Sequence, residues 1–347
     1  MAFFNNIFRD IGIDLGTANC LIYLKGRGIV VNEPSVAAIN TKTNHILAVG
    51  EDAKKMLGRT PGHINVVRPL VNGVISDFEM TEEMLRHFLR RPQANQIMSY
   101  RRAILAIPNN LTEVERKSVE DAALNAGCSK VYLVESPMTA ALGASLPITA
   151  PTASMIVDIG GGTTDIAVIA MGGTVVSRTL KIAGDRFNED IIRFTRDEFH
   201  LAIGEPSAEF AKVTVGSAIP MEERLEVPIR GRDLTSGLPR EISMKNNHVR
   251  TAIAKSLRSI IDMTHEVIEE TPPELAGDVL RQGITLCGGG ALLRGFDELL
   301  QKEVNVPVHV ADDPLTCVAR GLGQMVDDFE SHRDLLDNPL KPLSINL

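Results

Sequence analysis

The sequence predicts an α/β protein made of two similar halves around a shared cleft, and three observations carry that prediction. First, Asp14 and Asp158 each follow an apolar strand, precede a Gly/Thr turn and lead into a second apolar strand. A supersecondary unit repeated at that separation is a duplication, not a short solenoid period. Second, β-like runs alternate with helix-patterned segments on both sides of a linker at Pro147–Pro151, as layered α/β domains require. Third, 347 residues with 44% hydrophobic and 23% charged side chains can fill two globular cores and exclude disordered, collagen-like and coiled-coil architectures.

In the first half, Ile11–Leu24 reads as a hairpin turning at Gly16-Thr17-Ala18. Ile29–Val31, Val36–Ile39 and Ile46–Val49 follow as short strands, and Lys54–Leu57 as a helical piece. Met84, Leu85, Phe88 and Leu89 stand at helical spacing in Thr81–Arg90, which Arg91-Pro92 ends. Ala103–Ile107 is a buried strand. Thr112-x-x-Glu115 has capping-box form and opens a helix that Gly127 closes. Val131–Val134 is a strand and Pro137–Leu146 a helix.

In the second half, Met155–Met171 repeats the hairpin. Helices follow at about 185–198 and 207–215, then a β-like stretch over 225–243 with turns at Gly231 and Gly237. A long helix at about 248–270 is broken by Pro272-Pro273. Ile284–Cys287 is a strand, Ala291–Lys302 a helix and Val306–Val310 a strand, and a last helix starts near Pro314. Residues 331–347 read as a loose tail.

Composition narrows the function. Cys20, Cys128, Cys287 and Cys317 are far apart with no C-x-x-C pair, so no zinc site or disulfide framework is expected and a reducing cytosol fits. No apolar run reaches the roughly 18 residues of a membrane span, and no signal peptide is legible, so a soluble intracellular protein is expected. Aromatic residues make up 4%, with no Trp, which argues against a base-stacking platform. A net charge of −8 without a basic block argues against general DNA binding. No nucleic-acid partner is expected.

Three glycine turns follow strands: Asp14-x-Gly16-Thr17, Asp158-x-Gly160-Gly161-Gly162-Thr163 and Gly288-Gly289-Gly290. Backbone N–H groups in such turns approach anions closely and form concave anion sites. Thr17, Asn19, Thr163 and Thr164 add side-chain donors. Asp14 and Asp158 would repel phosphate, so they suit Mg²⁺ or its waters. One such turn is ordinarily structural. Two matching hairpins plus a third glycine triplet point to a nucleotide clamped between the halves. There is no P-loop and no Rossmann turn.

These residues resemble the actin/heat-shock-chaperone/sugar-kinase superfamily and, within it, the MreB family of bacterial actin-like proteins. Ile13-Asp14-Leu15-Gly16-Thr17-Ala18-Asn19 is similar to the first phosphate motif. Asn32–Val36, Met56–Gly62, Gly73–Phe78, Val157–Thr164 and Pro272–Ala276 also resemble the family. Cys287–Arg294 resembles its adenosine motif, followed by Asp312–Ala319. The resemblance covers about residues 5–330. It implies an actin-like fold of two duplicated, ribonuclease-H-like α/β halves, each with a smaller subdomain. The implied subdomains are IA (11–30, 75–147 and about 315–330), IB (31–74), IIA (148–182 and 248–314) and IIB (183–247). It also implies ATP or ADP with Mg²⁺ in the cleft and ATP hydrolysis coupled to assembly into paired protofilaments. The inner face of the cytoplasmic membrane and the cell-elongation machinery are the implied partners.

By the same resemblance, Thr17, Ala18, Asn19, Gly161, Gly162 and Thr163 touch the β- and γ-phosphates. Gly289, Gly290, Ala291 and Leu292 lie near adenosine, and Glu209 and Lys212 match a Glu-x-x-Lys nucleotide contact. Spaced three apart, that pair also reads as a surface ion pair of about 0.2–0.5 kcal/mol.

The chain departs from the family where water is activated. Relatives carry a carboxylate just before the proline, whereas here the run is Glu135-Ser136-Pro137-Met138. A hydroxyl is a far weaker base than a carboxylate near neutral pH, so intact ATP binding with slow hydrolysis is expected. Glu135 is the candidate substitute, although adjacent residues point in different directions. Thr163, the family's second water-positioning residue, is present. Asp165 stands where most relatives carry Glu, and Phe210, Ala211 and Thr214 replace commoner Arg, Ile and Glu around Lys212.

Residues 1–10 place Phe3, Phe4, Ile7 and Phe8 on one arc at about 100° per residue, with Asn5, Asn6, Arg9 and Asp10 opposite. A short membrane-surface helix fits this pattern, and a disordered start or a strand packed on the core is the competing reading. Ile97-Met98 is a second apolar membrane candidate. The runner-up function is a small-molecule (sugar or acid) kinase of the same superfold, for which no acceptor base is legible. A chaperone would need a peptide-binding domain beyond residue 330.

Overall fold

The protein is described from a computed structural model over residues 9–91, 100–223 and 225–336. The first half runs β1 (Arg9–Leu15), β2 (Asn19–Leu24), β3 (Gly28–Pro34), β4 (Ala37–Asn40), β5 (His45–Val49), α1 (Glu51–Lys54), β6 (Ile64–Val67), β7 (Leu70–Val71), β8 (Val74–Ile75), α2 (Phe78–Arg90), β9 (Tyr100–Ile107), α3 (Glu113–Asn125), β10 (Val131–Glu135) and α4 (Ser136–Gly143). The second continues with β11 (Ser154–Ile159), β12 (Thr164–Ala170), β13 (Gly173–Leu180), α5 (Gly184–Phe199), β14 (Leu201–Ala202), α6 (Glu205–Val215), β15 (Glu226–Asp233), β16 (Pro239–Lys245), α7 (Asn246–Glu270), α8 (Pro273–Gln282), β17 (Ile284–Cys287), α9 (Phe296–Val304), β18 (Val308–Val310), α10 (Cys317–Asp327) and α11 (Arg333–Leu336).

The duplication is complete at the level of the sheets. One is ordered β3-β2-β1-β9-β10 and the other β13-β12-β11-β17-β18. In both, the central hairpin pairs are antiparallel and the two strands added on the other side are parallel. Such parallel additions need covered faces; β12 is buried throughout. Each half has its own apolar core, and a third cluster joins them, with Ile104 and Val134 of one sheet, Ile156 and Ile169 of the other, and Met138 and Leu322 between. Gly143 of α4 and Gly321 of α10 make that seam tight. A Cβ on either would stand 1.8 Å from a backbone oxygen, of Cys317 or of Thr139.

Local chemistry sets the helix ends. Asp77 accepts from Met80 N at 3.0 Å to start α2. Thr112 and Glu115 exchange bonds at 3.2 and 2.7 Å to start α3, the reciprocal satisfaction of a capping box.

Several expectations change. The expected segment 1–10 overlaps the sheet, because β1 begins at Arg9 and Asp10 is buried under Arg101 and Arg102 at 2.6–3.1 Å. Phe3, Phe4, Ile7, Phe8, Ile97 and Met98 lie outside the described residues. β3 stays in the large sheet to Pro34, past the expected start of subdomain IB. Gly231 sits inside β15 opposite Arg240, so the turn is at Gly237 alone. The helix expected over 291–302 is split: a 3₁₀ turn spans Gly289–Leu292, Gly295 is left-handed at φ 70°, and α9 starts after it. The first residues of the expected loose tail are built into the fold, with Leu336 of α11 buried in the joining cluster; residues 337–347 lie outside the described residues. Among the described residues, no helix is long and apolar enough to cross a membrane.

Candidate functional site

The two hairpin turns have the same internal bond. Gly16 N donates to Asn19 O at 3.1 Å, and Gly160 N to Thr163 O at 2.9 Å. They also touch each other. A Cβ on Gly161 would stand 2.6 Å from Ala18 Cβ, and one on Gly162 2.6 Å from Thr17 Oγ1, so only glycine lets the turns close together. Thr17 Oγ1 accepts from Gly73 N at 2.9 Å, and Ser35 Oγ donates to Gly16 O at 2.6 Å. Gly184 N and Asp185 N donate to Gly160 O and Gly161 O at 3.1 and 2.8 Å. The positive end of α5 therefore abuts the second turn, where a helix N-terminus favours anions.

Between the halves lies a cleft of about 640 Å³, within the usual ligand-site range of about 300–1,000 Å³. Asp14 and Asp158 lie inside it. Burial pushes the Asp14 carboxyl up to about 7. Burial, then the charges of Asp165 and Asp14, push Asp158 up to about 8. Burial also raises Asp165, to about 6, against hydrogen bonds from Thr179 and Thr163. Buried carboxyls without a cationic partner fit a divalent ion. No group of three or more His, Cys, Asp or Glu among the described residues could hold one alone. The fit is therefore to Mg²⁺ that takes its remaining ligands from phosphate and water.

On the far wall, Lys212 Nζ donates to Glu209 Oε2 at 2.6 Å and to Gly184 O at 2.9 Å, and Asn188 Nδ2 donates to Glu209 at 2.7 Å. Burial acts to raise the Glu209 carboxyl, but the Lys212 charge and these bonds outweigh it and hold it below the usual range. The pair is thus tied to the α5 N-terminus and is not a free surface pair. Gly288, Gly289, Gly290 and Leu292 line the cleft beside Val213 and Leu315. The last three named apolar side chains are 54%, 65% and 53% exposed, an open apolar rim of the kind a flat ring would cover.

Three expected site residues face elsewhere. Glu135 Oε2 accepts from Thr174 Oγ1 at 2.8 Å, and Ser136, not Glu135, lines the cleft. Thr164 is buried and donates to Ile182 O at 2.7 Å. Ala291 is turned into the second-half core. Conversely, Arg68, Glu205, Lys54 and Asp185 line the cleft without having been picked out. Arg68 and Glu205 form an ion pair from one half to the other. They are separated by 137 positions, so no local pattern could reveal them.

Comparisons with known proteins identify the family. The MreB/Mbl protein family matches residues 8–334. The cell shape-determining protein Mbl of Bacillus subtilis (strain 168) is 49% identical over 322 residues, 93% of this chain and 97% of that one. The cell shape-determining protein MreB of Escherichia coli (strain K12) is 48% identical over 328 residues, 93% of this chain and 94% of that one. MreB5 of Spiroplasma citri, solved bound to ADP, superposes with a TM-score of 0.90 at 41% identity, covering 94% of this chain and 98% of that one. A MamK double helical filament shares the fold, with a TM-score of 0.75 at 22% identity, covering 92% and 98%. With the family matched over residues 8–334 and relatives 48–49% identical over 93% of its length, the chain belongs to the MreB/Mbl family of actin-like, cell shape-determining proteins.

Proposed function

We propose that this chain binds ATP or ADP with Mg²⁺ in the cleft and assembles into filaments of paired protofilaments that help set cell shape with the elongation machinery. The observation that carries the reading is the contact of the two glycine turns, Gly161 on Ala18 and Gly162 on Thr17. Each half supplies one N–H cradle, and a phosphate chain seated there engages both. Mg²⁺, when bound, neutralises phosphate charge. Asp14 and Asp158 would hold it or its waters, and Thr163 and Ser136, which line the cleft, would face the attacking water. MreB5 solved with ADP and with AMPPNP, and MamK solved as a filament, support the reading.

Hydrolysis is slow in this reading. Ser136 occupies the place of the family's carboxylate, and Glu135 is engaged by Thr174. Ser136→Glu is expected to raise phosphate release from polymer by about tenfold or more, as a gained general base would. An unchanged rate would remove Ser136 as the cause.

Filaments lie on the inner face of the cytoplasmic membrane. β1 and β9 are neighbouring parallel strands with Arg9 opposite Tyr100; Phe3, Phe4, Ile7, Phe8, Ile97 and Met98 are the proposed apolar membrane contacts. Each large apolar side chain contributes at most about 1.5–3 kcal/mol, so a monomer binds weakly and a filament binds by avidity. Electron microscopy with ATP and lipid vesicles should show membrane-bound filaments. Loss of vesicle binding but not of polymer is expected after deleting residues 2–8 and replacing Ile97 and Met98. Monodisperse protein with ATP and vesicles would overturn the assembly.

A further inference from the structure

We infer that Asp165 is a positioning residue for the water that attacks ATP, acting through the hydroxyl of Thr163. The inference rests on the ATPase reading above. Thr163 Oγ1 donates to Asp165 Oδ2 at 3.1 Å, and Thr179 Oγ1 donates to Asp165 Oδ1 at 2.5 Å. Asp165 is buried, and in the pairing register it stands between Asp158 of β11 and Thr179 of β13. Its carboxylate is therefore fixed from both sides by strands of a rigid sheet.

The direction of one proton gives this arrangement its chemistry. A threonine hydroxyl has one proton to donate and two lone pairs, whereas an ionised carboxylate only accepts. Two hydroxyl donors favour that ionised form. Thr163 therefore commits its proton to Asp165 and presents lone pairs to the cleft that it lines. A water there donates a hydrogen to Thr163 and keeps its own lone pair free for phosphorus. Were Thr163 free to rotate, its proton would bond the water's lone pair and blunt the nucleophile. In the step served, a bond forms between the water oxygen and the γ-phosphorus. The bond from the γ-phosphorus to the bridging oxygen breaks, and ADP leaves with its electron pair. The water's proton leaves with inorganic phosphate or passes to solvent. With Ser136 in place of a carboxylate, Thr163 is the hydroxyl whose proton Asp165 commits elsewhere, so its lone pairs stay free to orient the water.

The test compares single-turnover phosphate release with AMPPNP affinity in the full chain. Asp165→Asn, which can donate to Thr163 and release its proton, is expected to slow release by about 10–100-fold with AMPPNP affinity within about twofold. Asp165→Glu keeps an acceptor and should recover much of the rate. The Thr163→Val/Asp165→Asn double variant should be no slower than Thr163→Val alone, because both changes act through one hydroxyl. The inference is overturned if Asp165→Asn releases phosphate at the parent rate. It is equally overturned if the double variant shows the two losses multiplied, or if AMPPNP affinity falls as far as the rate, which marks a purely structural post. A parent chain that binds AMPPNP yet releases no phosphate overturns the ATPase reading itself, and the positioning role with it.

Discussion

The two halves use one backbone for unequal tasks. Across the first sheet, the row through the cleft aspartate reads Ala106, Asp14, Leu21, Asn32. Across the second, the same positions read Cys287, Asp158, Asp165, Thr179. The first row sets its carboxyl between apolar neighbours. The second sets it beside another carboxyl that two threonines hold. In the proposed reading both halves carry a glycine cradle and an aspartate suited to a cation, and the second half adds the Thr163–Asp165–Thr179 network proposed to orient water. On that reading a shared fold sets the place proposed for phosphate, while side chains at matched positions set what each half can do there.

The comparison can be broken most directly by moving the second row's feature into the first. Leu21 is 4% exposed, and Leu21→Asp adds a carboxyl beside Asp14 without the Thr163 and Thr179 donors. A loss of about 3 kcal/mol in urea unfolding is expected, as for an unpaired buried charge. Asp165→Leu should cost less, since it removes a buried charge and strands only two hydroxyls. The reverse ranking would mean that the rows are not environments of the stated kind.

Next in size is the contact between the cradles. Gly162→Val forces a side chain against Thr17 and Asn72. Overpacking of about 1–3 kcal/mol corresponds to roughly 5–150-fold weaker ATP binding. Gly62→Val, at an exposed turn with open space around it and no left-handed backbone to strain, should leave ATP binding unchanged; equal losses would show that the contact of the turns is not what binding needs.

The smallest effect sharpens the comparison by pH. Both cleft aspartates have folded values above the ordinary 3.8, at about 7 and about 8. Their folded state binds protons more tightly than the unfolded state. Their stabilising contribution is therefore complete below about pH 4 and is lost as pH rises through about 7–8. Melting of nucleotide-free protein from pH 5.5 to 8 should show this decline. Asp158→Asn should flatten it more than Asp14→Asn, because only Asp158 has Asp165 beside it. Equal flattening would erase the electrostatic difference between the halves.

Much of this was legible in the sequence. The hairpins announce themselves by apolar runs around Gly/Thr turns, and the start of α3 by its capping box. What stayed hidden was set by partners distant in sequence. β13 is a half-exposed strand with mixed polarity that exists by pairing with β12. The direction of Glu135 is set by Thr174 of that same strand. Gly295 splits a helix that periodicity alone runs together. The proton donated from Thr163 to Asp165 is local in sequence, yet its meaning depends on Thr179, fourteen positions on and across a sheet.

Strand β1 has a mechanical consequence. Asp10, clamped by Arg101 and Arg102, and Asp14, in the cleft, lie on one strand four residues apart. At about 3.3 Å per residue the two are about 13 Å apart. Neighbours bonded on both flanks keep that strand stiff along its length. The Arg-clamped start of β1 and the cleft aspartate proposed to meet the nucleotide's cation are thus opposite ends of one short push-rod. A load applied at the first is delivered to the second without a hinge between them.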